Sequence, residues 1–434
     1  MLSYYNFVKK IHKKIIELWN NGAFHIMIGS FLNKFISMFG SIIIVRLLSK
    51  TEYGILSYIE NLYSYVYVVA GLGLSNAILR YVVLAKSKEE KYEYFEISVK
   101  YGLFINLILI LFMSFINTFY SHGNIFFEAK KFLYLLVTIL PLQHLIEDCL
   151  YMERANFSNK RFAYMSLLSS IILIISRIIG AFFFGLTGIV ILQIVCYLLI
   201  SCCFFLNTSR KYKPKKKKKT ITYENKKVMS LYSFQYMVTN GLWTIFMLND
   251  TFMLGKLAQS ATVLADYRVA YVIPAALSIF SSAIGTYIAP YFVKNEKNYK
   301  WIRKNFLLTF FCTAGLIGII ILFIFLFGKY IILIIYGNTY LNIIELMNLL
   351  LIASFFNCGI RFTCANLLAA MGQIKYNMFI SIIGMILQIL LNYFLIPKYG
   401  SYGAATTSII VYLYMGVSLF FIFSKKYHIF TNKS

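Results

Sequence analysis

Lys34, Glu60, Arg177, Asp250, Arg268 and Arg361 stand inside long apolar stretches of this sequence, and each demands a reason. A charge at the centre of a bilayer-spanning helix costs about 2.5–3.5 kcal/mol on insertion scales. Lys34 is the deepest. It falls in the series Ser30, Asn33/Lys34, Ser37, Ser41, whose spacing of three to four puts a polar stripe on one helix face. An ammonium can snorkel to an interface, but a mid-stretch position within its own polar stripe favours a cation lining a wet cavity. The stretch holding Asp250 has a matching stripe of Ser233, Asn240, Thr244, Met247 and Asp250/Thr251, and Glu60 shares a face with Ser64, Tyr67 and Gly71. Arg177 and Arg361 read equally well as structural partners of a helix C-terminus or a carbonyl. Guanidinium and ammonium groups so placed bind anionic oxygens. The two acids either take a coupling proton or sodium ion or hold the basic residues in place, and both readings stay open.

Other chemistry is not indicated. Cys149, Cys196, Cys202, Cys203, Cys312, Cys358 and Cys364 all lie in apolar stretches, without Cys-x-x-Cys spacing or a neighbouring His cluster. They read as small apolar helix residues rather than disulfides or metal ligands. No Walker-type phosphate loop, Gly-x-Ser-x-Gly or His-Glu-x-x-His motif is present, so no ATP hydrolysis, metal site or resident cofactor is expected. A channel or secondary transporter fits better than an enzyme.

The elements that carry these charges are membrane spans. Of 434 residues, 60% are hydrophobic and only 13% charged, with a mean hydropathy of +0.71. That leaves too little polar surface to solvate a globule of this size. Stretches near 22–47, 54–79, 97–119, 131–152, 163–184, 186–208, 229–255, 263–292, 305–327, 341–368, 375–397 and 401–424 each satisfy the need for about 20 apolar residues. The fold class is therefore an all-α polytopic membrane protein with about 12 spans. Pro141, Pro274 and Pro290 fall within spans and predict kinks.

Charge placement orients the chain. The net charge is +26, which alone would suit a nucleic-acid binder. Yet roughly 30 of the 42 basic residues fall in the N-terminus, the even-to-odd loops and the C-terminus, which the positive-inside rule assigns to the cytoplasm. Both termini are expected there. Residues 1–21 mix basic and apolar positions as an interfacial amphipathic helix does. The run Lys215–Lys219 reads as a solvated basic linker, and no nucleic-acid partner is implied. No outward loop is long enough for a catalytic domain.

The halves of the chain repeat. Gly185-Leu186-Thr187-Gly188-Ile189-Val190 aligns with Gly400-Ser401-Tyr402-Gly403-Ala404-Ala405, and Asn159-Lys160-Arg161-Phe162 with Gln373-Ile374-Lys375-Tyr376. Gly-x-x-Gly fits a tight turn followed by close helix approach. The expected organisation is an N-lobe over 22–208, a basic linker over 209–228, a C-lobe over 229–424 and a cytoplasmic tail over 425–434, with the two six-helix lobes pseudo-symmetric about the membrane normal.

The stretch Arg46-Leu47-Leu48-Ser49-Lys50-Thr51-Glu52-Tyr53-Gly54, then Gly71-Leu72-Gly73-Leu74-Ser75-Asn76-Ala77-Ile78-Leu79-Arg80-Tyr81, resembles the opening of polysaccharide-type (Wzx-like) flippases. These belong to the multidrug/oligosaccharidyl-lipid/polysaccharide exporter superfamily, whose late signature is similar to Gly400–Ala405. The resemblance implies two lobes opening alternately around a central cavity lined chiefly by spans one, two, seven and eight. It implies an undecaprenyl-pyrophosphate-linked oligosaccharide, an O-antigen (lipopolysaccharide) or capsule repeat unit, moved to the outer leaflet of a bacterial inner membrane. Lys34, Arg46, Arg80, Arg177, Arg268 and Arg361 would then contact pyrophosphate and glycan, with Glu60 and Asp250 as charge partners or ion-coupling sites. Membrane lipids, a polysaccharide polymerase and a chain-length regulator would be its partners. A multidrug or cation antiporter of the same superfamily is an alternative, disfavoured by the basic balance of the intramembrane charges. An integral polymerase or glycosyltransferase is another, disfavoured by the short outward loops.

Overall fold

The computed structural model describes residues 23–119, 124–215, 221–258, 260–295 and 297–430. The amphipathic segment at 1–21 and lysines 216–219 of the linker run lie outside the described residues. Every regular element among the described residues is helical. The first half comprises α1 (Ala23–Leu47), α2 (Lys50–Val68), a 3-10 turn (Ala70–Gly73), α3 (Leu74–Leu84), α4 (Lys88–Phe119), α5 (Asn124–Val137), α6 (Ile139–Ala155) and α7 (Asn159–Tyr212). The second comprises α8 (Tyr223–Leu257), α9 (Ala261–Ala276), α10 (Ser278–Lys294), α11 (Tyr299–Tyr336), a 3-10 turn (Asn338–Ile343), α12 (Ile344–Ser354), a π-helical turn (Phe355–Arg361), α13 (Phe362–Ala370), α14 (Ile374–Tyr399) and α15 (Ser401–Lys426). The apolar stretches read from the sequence fall on these helices, with 163–184 and 186–208 sharing α7 and 54–79, 131–152, 263–292 and 341–368 each running over more than one element. Eight described segments are long and apolar enough to cross a bilayer, and α2 with α3, bent by 47°, makes a ninth.

At 54 residues α7 would run about 80 Å if straight, far beyond a hydrocarbon core of about 30 Å. Gly185 breaks it, with φ 59 and ψ −142. Gly400, at φ 56 and ψ −130, turns the chain between α14 and α15 in the same way. Three residues beyond each, the helices touch: a Cβ on Gly188 would lie 2.4 Å from the Gly180 carbonyl oxygen, and one on Gly403 2.4 Å from that of Leu395. The repeat seen in the sequence is thus the same helical hairpin built twice. Gly403→Val is expected to cost about 3 kcal/mol or more, and size-exclusion profiles of detergent extracts should show little folded protein. Gly315→Ala, with open space around the new methyl, should elute as the wild type.

By packing, the chain divides into two units, Met1–Leu48 with Ile59–Ile245, and Ser49–Tyr58 with Phe246–Ser434. In the first unit α1, α5 and α6 pack on α7, and α3 and α4 pack with α6. Its core gathers Ala77, Ile78, Val82, Phe95, Cys149 and Met152. In the second unit α15 packs on α12, α14 and the π-turn, while α9 packs on α12 and α10 on α13. Outer faces stay apolar, as on α11 with Leu308, Phe311, Ile319 and Leu326 exposed, which suits contact with lipid chains.

The second span of each half is interrupted. In the first, Gly71, Leu72 and Gly73 all take positive φ (54, 47 and 74). In the second, the break at Leu277 follows Pro274 within α9. Pro141 likewise sits just past the break at Thr138 that separates α5 from α6.

Candidate functional site

Lys34 is exposed on α1. Its neighbour Asn33 donates from Nδ2 to Ser166 Oγ on α7 at 2.9 Å, so α1 is held by one polar residue while the next turns away. Ile28, Phe31, Leu32, Phe35 and Phe39 are exposed as well, but at 100° per residue most of these lie on a different face from Lys34, Ser37 and Ser41. Arg46, in the last turn of α1, is exposed. Arg80 is exposed on α3 with its guanidinium 5.0 Å above the Tyr232 ring. Arg268 is half-buried on α9.

Arg177 and Glu60 form an ion pair. The base that meets Glu60 thus comes from α7, and the carbonyl or helix-end partner considered for Arg177 is replaced by a carboxylate. Side chains 21% and 30% exposed make the pair intermediate between surface and core, worth about 1–2 kcal/mol. Arg177→Gln and Glu60→Gln should each lower the melting temperature of purified protein, and the double variant should lose less than the sum of the two.

Arg361 is buried on the π-turn, donates from Nε to Asn357 Oδ1 at 2.7 Å and lies 5.9 Å from the Tyr412 ring centre. Asp250 is buried too, and neutral donors surround it. Gln388 Nε2 (2.9 Å) and Asn392 Nδ2 (2.7 Å) donate to Oδ1, and Ser408 Oγ (2.7 Å) and Tyr267 Oη (3.2 Å) to Oδ2. Four donors fill the lone-pair sites of one carboxylate. No basic side chain is among these four donors, so the cage gives Asp250 no basic residue to hold in place.

Three acids passed over in the sequence prove to be structural centres. On α6, His144 and Asp148 are buried and face each other at 3.3 Å, with Ser75 Oγ 2.9 Å from His144 Nδ1 and Ser98 Oγ donating to Asp148 at 3.0 Å. The imidazole sits between Gly71 and Gly102, where any Cβ would overlap it. Tyr67 donates its hydroxyl to Glu147. Glu153, fully buried at the end of α6, takes Arg161 (3.1 Å) and Lys211 (2.8 Å), so part of the basic excess is structural. The rule that exposed Glu60 and Asp250, an acid in an apolar stretch, would have found Glu147 and Asp148.

Each unit contains a cavity at the interruption of its second span, the position where discontinuous transporter helices place their sites. The first, of about 200 Å³, is lined by Tyr67, Gly73, Asn76, Glu147, Asn240 and Thr244 among others. The second, of about 260 Å³, is lined by Tyr271, Pro274, Ser354, Asn357, Ser408 and Tyr412 among others. Ser408 connects it to Asp250. No group of three metal-ligating side chains occurs among the described residues.

Residues 43–345 match the family described as polysaccharide biosynthesis protein, which is more than half of the chain. The chain belongs to this family. No curated protein sequence matches it. Among solved structures it is similar to the lipid II flippase MurJ in an inward-closed conformation, with a TM-score of 0.72 and 18% identity over 93% of this chain and 89% of that one. An inward-facing MATE-family multidrug resistance transporter of the MOP (multidrug/oligosaccharidyl-lipid/polysaccharide) superfamily gives 0.69 and 13% over 93% and 96%. A MOP superfamily transporter from Pyrococcus furiosus gives 0.55 and 14% over 94% and 95%. At these identities the likeness establishes the fold. This polysaccharide biosynthesis protein is a multi-pass, all-α membrane protein that shares its fold with these flippase and transporter structures.

Proposed function

We propose that the chain is a flippase that carries undecaprenyl-pyrophosphate-linked oligosaccharide repeat units, of an O-antigen or a capsule, from the cytoplasmic to the outer leaflet of the bacterial inner membrane by alternating access. The observation that carries this reading is Lys34, an exposed ammonium midway along an apolar helix, on a serine-bearing stripe set apart from the phenylalanine face. A pyrophosphate diester brings about two negative charges and many acceptor oxygens, which ammonium and guanidinium groups bind well. Arg46, Arg80 and Arg268 add basic charge, whereas Glu60 and Asp250 are both engaged by protein donors. An antiporter for cationic drugs would call for the reverse balance.

No covalent bond changes in this reaction. The protein lowers the barrier for a polar head group to cross hydrocarbon, while the polyprenyl tail stays in lipid. Family membership in polysaccharide biosynthesis supports a glycan cargo, and the fold supports transport. Asp250 is the proposed coupling residue, exchanging a proton or sodium ion through Ser408 from the neighbouring cavity. Both termini face the cytoplasm, and a polymerase with a chain-length regulator receives the product.

Deleting the gene tests the reading. The deletion strain should accumulate undecaprenyl-linked repeat units and lose its surface glycan, and the wild-type chain should restore export. A deletion strain with normal surface glycan and no accumulated intermediate would refute it.

A further inference from the structure

The cavity in the first unit presents several oxygen acceptors in its wall. Asn240 spends an amide hydrogen on the Tyr236 carbonyl at 3.0 Å, and Thr244 donates its hydroxyl to the Asn240 carbonyl at 3.0 Å. That leaves the cavity the lone pairs of both side-chain oxygens, with one further Asn240 amide hydrogen. The Tyr67 hydroxyl proton is likewise engaged, on Oε1 of Glu147, and Gln143 Nε2 reaches the same oxygen at 3.4 Å. The hydrogen bonds to Glu147 thus converge on one oxygen, leaving Oε2 for the space that Glu147 lines.

The break between α2 and α3 adds backbone oxygens. In a continuous helix the Tyr67 and Val68 carbonyls would accept from the amides of Gly71 and Leu72. Here Gly71 N donates to Asn106 Oδ1 at 2.9 Å and Leu72 N to the Val69 carbonyl at 3.2 Å. Tyr67 and Val68, whose carbonyls lose those amides, both line the cavity. Carbonyls at the end of an interrupted helix also carry the negative end of its dipole.

Charge selects the ligand. His144 also lines this cavity but is paired with the buried Asp148, and among the described lining residues Glu147 is the one carboxylate. A single negative charge with several neutral oxygens suits a monovalent ion, and a divalent ion would ask for more carboxylates. A volume of about 200 Å³ holds such an ion with a few waters, at about 30 Å³ each. The repeat-related cavity differs. At the offset of 214–215 set by the aligned hairpins, Glu147 falls on Arg361–Phe362, and Arg361 is buried with its Nε on Asn357 Oδ1. Asn357 lines that cavity, so a protein cation stands behind its wall.

We propose that the cavity at the α2–α3 break binds a monovalent alkali cation, held by Glu147, the Tyr67 and Val68 carbonyls, and the side-chain oxygens of Asn240 and Thr244. The site does not depend on the identity of the transported lipid. Its test is equilibrium binding of radiolabelled sodium, and of rubidium as a potassium probe, to the purified full-length protein in choline buffer. An Asp250→Asn background removes the other buried carboxylate as a source of signal. One ion should bind saturably to this parent, Glu147→Gln should abolish the binding, and Asn240→Leu should weaken it at least tenfold. Size-exclusion profiles report folding, and Asn240→Leu, at an exposed position of α8, decides the matter if Glu147→Gln fails to fold. A parent that binds neither ion saturably, or variants that bind as the parent does, would overturn the proposal.

Discussion

Lys34→Ala is expected to insert and fold as the wild type does, and to reduce surface-glycan export roughly 10- to 100-fold. The two halves of that expectation have separate physical grounds. Lys34 is exposed and makes no ion pair with any described residue. Its removal therefore leaves no orphaned partner, and stability should stay within about 0.5 kcal/mol. The contact that holds this part of α1 on α7 belongs to Asn33 and Ser166. Transport should suffer because a hydrogen bond to a charged group contributes about 1.5–3 kcal/mol, and a pyrophosphate offers such groups. Immunoblots and glycan staining of the same cells separate the two readouts. Normal export by Lys34→Ala would remove this residue from the transport path.

Asp250 should divide by substitution type. Asp250→Ala leaves Gln388, Asn392, Ser408 and Tyr267 without their shared acceptor in a buried site. At about 1–3 kcal/mol for an unsatisfied buried group, the loss is on the order of 4 kcal/mol, and little folded protein should be recovered. Asp250→Asn keeps Oδ1 for the two amides. On the other side its Nδ2 can donate to Ser408 and Tyr267, because hydroxyl groups both donate and accept. This variant should fold, yet export should cease to respond to the ion gradient. Thermal melts and export with and without an ionophore check both parts. An Asp250→Ala protein as stable as the wild type would show that the cage contributes little.

Much of this was legible in the sequence for reasons that are local. The spans follow from composition, since a helix of about 20 apolar residues satisfies its own backbone in lipid. The two hairpins follow from Gly185–Gly188 and Gly400–Gly403, because positive φ and close approach leave no room for another residue. Pro274 announced its break; the one at Gly71–Gly73 was visible only as glycines within a motif. Partners were harder. Glu60 meets Arg177 across 117 positions and Asp250 meets Ser408 across 158, and no periodicity within one helix encodes such pairings. Gln388 and Asn392, four apart in an apolar stretch, were a readable sign of a buried polar face. Glu147 and Asp148 were readable by the rule that flagged Glu60, since an acid at membrane depth always needs a reason.

Purified protein in liposomes, given undecaprenyl-pyrophosphate-linked oligosaccharide in both leaflets, offers the most direct measurement. A membrane-impermeant glycosidase added outside should trim only about half of the glycan in protein-free vesicles. With the wild-type chain present it should trim nearly all of it, at a rate that Lys34→Ala lowers about tenfold or more. Protection of the inner half in the presence of well-folded wild-type protein would contradict the account.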